Sequence, residues 1–114
     1  MDFDAAIAAH ARWKYRLSDH VDGKSTEQLD PAVVGCDDKC DLGKWIHSTS
    51  GGSAVFSDLK REHAEFHQHA AAIVRKSKEG KKSEALDMLA NDAVYATCSF
   101  KVIALIKTMR DATK

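Results

Sequence analysis

Apolar residues recur at three- and four-residue steps along most of this chain, and that period fixes the class of fold open to it. Phe3, Ala6, Ile7, Trp13, Leu17 and Val21 line one face of a helix expected over Asp2–Val21. A single polar residue, His10, interrupts that face. Phe56, Leu59, Phe66, Ala70 and Val74 make a second stripe, predicting a helix from about Ser53 to Lys78 that ends at "EGKK". A third helix is expected to begin near Ser83, capped by it or a neighbour. Its inward row would be Leu86, Leu89, Ala93, Thr97, Phe100 and Ala104. Strand alternation appears nowhere, and one proline and six glycines leave the helices uninterrupted. Three long helices and a short helical connector predict an all-α, up-and-down four-helix bundle. At 114 residues the chain is read as one domain, residues 1–114, with a single core.

The connector, residues 23–52, is where helix signals weaken. Gly23 is a stop for the first helix. Ser25 with Gln28 suggests a cap, and Pro31 after Asp30 is a helix start. "CDLGKWIHS" reads as a short helix or turn in which Gly43 permits close backbone approach, and "STSGG" breaks the chain. A structured connector of this length in a small domain often carries function.

Three of the six histidines fall in "REHAEFHQH". At about 100° per residue, His67 lies roughly 40° from His63, inside the apolar stripe, while His69 turns about 120° away and Glu65 about 200°. His63 and His67 are therefore the inward pair. Buried imidazoles need partners, either backbone and water or a metal ion. His10, inward on another helix, favours the ion, and Cys40 offers a thiolate from the connector. Three nitrogens and one sulfur fill a tetrahedral shell of the kind zinc prefers. "HAEFH" is not the metalloprotease signature, which needs glutamate where Ala64 stands.

"HARWKYRL" at 10–17, "CDLGKWI" at 40–46 and "HAEFH" at 63–67 together resemble the three ordered motifs of the chemoreceptor zinc-binding (CZB) domain. The resemblance implies a four-helix bundle holding one Zn²⁺ per chain through His10, Cys40, His63 and His67, often as a homodimer. It also implies regulation of a chemoreceptor or a diguanylate cyclase in bacterial signalling. The 114 residues carry no such output domain, so the chain is read either as a free-standing protein, which Met1 favours, or as an excised fragment.

Zinc would keep Cys40 as a thiolate, open to two switches: occupancy that reports zinc, or oxidation of the sulfur by hypochlorous acid. Cys36 is read either as a solvent-facing thiol beside two aspartates or as a resolving thiol or substitute ligand. Cys98 is read as a small packed residue. Trp13 and Trp45 are expected to pack near the metal, and Asp41 to orient an imidazole. His20 suits a helix end, and His47 has no assigned role. Val102, Ile103, Leu105 and Ile106 are wide enough to meet a partner or to fill the bundle.

Seventeen basic and seventeen acidic residues give zero net charge, so no basic excess argues for nucleic acid or an anionic membrane. No apolar run is long enough to span a bilayer, and no signal peptide leads the chain, so a cytoplasmic, non-enzymatic module is expected. Two alternatives remain at this level. One is a hemerythrin-like di-iron bundle, which needs bridging carboxylates; the other is a domain whose zinc only holds the fold.

Overall fold

The computed structural model describes residues 1–24, 28–49 and 53–112. The cap at Ser25 and most of the break at residues 50–52 lie outside them. Among the described residues all regular structure is helical: α1 Phe3–Asp22, α2 Pro31–Val34, α3 Asp41–Ser48, α4 Ala54–Lys78, α5 Lys82–Met88 and α6 Val94–Ala112. The ends follow local chemistry. Asp2 starts α1 by accepting the Ala5 N–H at 2.9 Å, and Gly23, at φ +74°, stops it. Asp30 accepts the Ala32 N–H at 2.9 Å ahead of Pro31, and Ser53 accepts the Phe56 N–H at the head of α4.

Pairwise contacts give the topology. His10 meets His63 and Trp13 meets His67, so α1 and α4 rise side by side. Asp4 pairs with Arg110 at 2.8 Å and Lys14 with Asn91 at 2.8 Å, so α6 descends along α1. Tyr95 on Phe66 and Cys98 on Glu62 set α6 antiparallel to α4 as well. The connector takes the remaining descending place. Val34 lies against His67, Cys40 against His63, and Trp45 against Phe56. The expected up-and-down bundle is present, with a second strut built from two short helices broken at residues 35–40.

The third expected helix needs correction. It is divided: α5 ends at Met88, and α6 begins at Val94 after a turn through "LANDA". Ser83 lies within α5, whose N-cap position is Lys81 and has no side-chain cap. That five-residue turn resets the helical phase. The inward row of α6 is Tyr95, Cys98, Val102 and Ile106, whereas Thr97 and Ala104 are exposed and Phe100 is 79% exposed. Leu86 also faces out, while Leu89 stays inward. Within the wide apolar band of α6, Val102 and Ile106 fill the core with Leu17, Leu59, Phe66 and Ile73. Ile103 and Leu105 are half-buried.

α5 closes one end of the bundle. Lys82 reaches Asp22 at 3.8 Å and Glu84 reaches Lys76 at 3.9 Å. No helix among the described residues is long and apolar enough to cross a membrane.

Candidate metal centre

Each residue of the centre is placed by a separate feature of the fold. His10 is in the middle of α1, and His63 and His67 are one turn apart on α4. All three are at most 2% exposed. Cys40 is the N-cap of α3 and is half-buried. One ligand-capable atom from each of the four lies within 4.8 Å of the other three. The Cys40 Sγ is 3.3 Å from His63 Nε2 and 3.6 Å from His67 Nε2, and the two Nε2 atoms are 3.1 Å apart. A tetrahedral ion bonded at about 2.0–2.1 Å to nitrogen and about 2.3 Å to sulfur would set its donors roughly 3.3–3.6 Å apart.

The hydrogen bonds behind the rings fix the tautomers. His10 Nδ1–H donates to the Ala6 carbonyl at 2.8 Å, and His67 Nδ1–H donates to the Val34 carbonyl at 2.9 Å. A carbonyl can only accept, so both rings turn a bare Nε2 lone pair toward the centre. The buried Nε2 of His10 has no hydrogen-bond partner. Convergent lone pairs repel unless a cation sits among them, and the donor set of three imidazole nitrogens and one thiolate suits Zn²⁺. The residues present fit that group.

Electrostatics agree. Burial, followed by the neighbouring His67, His10 and His47, lowers the pKa of His63 to about 2. Burial also lowers His10 and His67, each opposed by its backbone carbonyl bond. All three are neutral at pH 7, the state a metal ligand requires. Burial raises the Cys40 thiol, and the Gly43 N–H, 3.3 Å from Sγ, pulls it back. A bound dication would override the burial and hold the sulfur deprotonated.

Gly43 makes this placement possible. A Cβ there would overlap the Asp37 carbonyl oxygen, which lies over the first turn of α3. The expected close approach is therefore present, and it folds the 36–40 turn back onto α3. Two clefts of about 370 and 590 Å³ reach Cys40, and both are bordered by Trp13, Arg16 and Lys39.

Trp13 packs beside the centre, its ring 6.1 Å from that of His67 and covered by the Arg16 guanidinium at 3.9 Å. Trp45 packs elsewhere, edge-on to Phe3 and Phe56 at the end of the bundle. Asp41 is exposed, and backbone carbonyls do the orienting expected of it for His10 and His67. His69 and Glu65 stand outside the four-residue cluster. His47 pairs with Asp37 at 3.3 Å, and Cys36 Sγ donates to the Ala32 carbonyl at 3.1 Å.

Cys98 is packed, as expected, but against a carboxylate that the sequence reading passed over. Its Sγ lies 3.3 Å from the Glu62 carbonyl and 3.7 Å from Glu62 Oε2. Spacing held the signal: Glu62 is three residues after Leu59 and four before Phe66, both in the buried stripe.

The sequence profile of the chemoreceptor zinc-binding domain family matches residues 10–74, a span that contains all four residues of the cluster. No curated protein and no solved structure matches the chain.

Proposed function

The chain belongs to the chemoreceptor zinc-binding domain family, a regulatory rather than catalytic one, and from that premise we propose that it binds one Zn²⁺ through His10, Cys40, His63 and His67 and uses that ion to regulate bacterial signalling. The observation that carries the reading is the convergence of four donor atoms from three parts of the fold within 4.8 Å. When bound, the ion supplies a deprotonated sulfur and a cross-link between α1, α4 and the connector. Four protein donors leave no position for a substrate or an attacking water, which supports a sensor rather than a hydrolase. No carboxylate belongs to the cluster, which favours a single zinc over a hemerythrin-like iron pair.

The signal is either zinc availability or oxidation of Cys40 by hypochlorous acid. The two clefts that reach Cys40 favour the second, because thiolate oxidation requires access. The domain works in the cytoplasm as a homodimer, acting on a chemoreceptor or a diguanylate cyclase. Native mass spectrometry of the wild type beside Cys40→Ala and His67→Ala tests the metal site. One zinc per chain is expected in the wild type and none in either variant at matched zinc. Metal-free wild type, indifferent to added zinc, would end the reading, and visible absorbance in the purified protein would favour iron.

A further inference from the structure

Cys36 and Cys40 border one cleft of about 370 Å³, together with Trp13, Arg16, Lys39 and His67. Both are free thiols and both are half-buried. Cys98 is different: it is buried on α6 and engaged with Glu62.

Residues 35–40 lie between α2 and α3 and outside any helix. Three residues alone separate the two cysteines, so a disulfide asks only for a local change that brings their Cα atoms within roughly 4.4–6.8 Å. Gly43 lets the Asp37 carbonyl close over α3, and the cysteines on either side of that carbonyl border the same cleft. The Cys36 side chain donates to the Ala32 carbonyl, a weak bond because a thiol is a weak donor.

From this arrangement we infer that Cys36 is the resolving thiol for Cys40, so that oxidation of the metal-binding sulfur ends in a reversible Cys36–Cys40 disulfide. The inference rests on the proposed zinc site and on hypochlorous acid as the oxidant. The Cys40 thiolate attacks the chlorine of hypochlorous acid; an S–Cl bond forms, the Cl–O bond breaks and hydroxide leaves. That hydroxide takes the Cys36 thiol proton, giving water. The Cys36 sulfur then displaces chloride from the Cys40 sulfur. Thiolate, thiol and hypochlorous acid become disulfide, chloride and water, with two electrons passing from sulfur to chlorine. Bonded to Cys36, the Cys40 sulfur would no longer be a thiolate able to hold the ion, and it is protected from further oxygenation to sulfinic acid. Attack by the oxidant falls on Cys40, the sulfur that a bound dication would hold as a thiolate.

Lys39 lies between the two cysteines, so trypsin separates them into peptides 25–39 and 40–44, which stay joined only through a disulfide. Zinc-loaded full-length protein is treated with one equivalent of hypochlorous acid, digested without reductant and weighed, while zinc release is followed with a chromogenic chelator. The expected result is a linked 25–39/40–44 pair, together with zinc that rebinds after thiol reductant is added. At two equivalents of hypochlorous acid, the number that sulfinic acid requires, Cys36→Ser is expected to release zinc in the same way, to accumulate Cys40 as sulfinic acid and to recover under one-fifth of its binding, whereas the wild type still recovers.

Zinc release with Cys36 still a free thiol, or full recovery of Cys36→Ser, would overturn the resolving role and leave the zinc site standing. Wild type that never binds zinc would instead remove the site beneath it. A linked pair found only between two chains, seen as a dimer on a non-reducing gel, would overturn the intramolecular pairing.

Discussion

Gly43 sets where the Cys40 sulfur can stand, because the space its side chain would fill belongs to the Asp37 carbonyl. Gly43→Ala must push that carbonyl away, at a cost on the order of 1–3 kcal/mol. Displacing the first turn of α3 would also disturb the Gly43 N–H to Cys40 contact and weaken zinc binding by roughly 10–100-fold. Gly35→Ala is the control, since its Cβ would meet Pro31 O at 3.2 Å and the Ala71 Cβ at 3.3 Å, a much milder contact. Thermal melts and zinc titrations of the two variants check this; equal behaviour would contradict the role given to Gly43. The three histidines were legible in the sequence because an apolar helical stripe states which way each residue on it faces. Cys40 was less so, since no periodicity runs through residues 35–40 and its motif became readable only as one of an ordered set. The orienting carbonyls of Ala6 and Val34 were not legible at all, since every residue carries one.

At the scale of elements, α1 and α4 were readable to within a residue because caps and stripe agreed. α6 was not, because the "LANDA" turn carries no proline or glycine and the apolar pattern continues through it out of phase. Ile106 is fully buried in the resulting register and Phe100 is 79% exposed. Ile106→Ala should therefore cost about 2–5 kcal/mol in urea unfolding, while Phe100→Ala should stay within about 0.5 kcal/mol. The opposite order would restore the uninterrupted helix. The connector was legible as the short fourth helix of the bundle, but not as two helices with a break at residues 35–40. Its place in the bundle depends on contacts at Val34, Cys40 and Trp45 with residues far along the chain.

For the molecule as a whole, a metal-free centre of three neutral imidazoles makes stability depend on acid. His63 titrates near 6.5 when unfolded and near 2 when folded, and His10 and His67 shift the same way. Below pH 6.5 the unfolded chain binds more protons, so the stability present above that pH is lost progressively as pH falls. The slope is up to about 1.4 kcal/mol per pH unit for each histidine kept neutral. The Cys40 thiol, raised from 9.0, adds a second loss as pH climbs through 9 and the unfolded thiol ionises first. Urea unfolding of zinc-stripped protein should thus show its widest margin between about pH 6.5 and 9. A flat profile from pH 4 to 7 would mean that the rings are not buried neutral.

The break in the second strut also decides how far a disturbance at the centre can travel. Two parallel rods carry all three imidazoles, whereas the sulfur hangs from the member that is jointed beside it, at residues 35–40. Cutting the sulfur loose therefore leaves the rods tied and slackens a single limb. On the proposed reading, a receiver tuned to that event would grip the limb, residues 28–49, and stay indifferent to the rods.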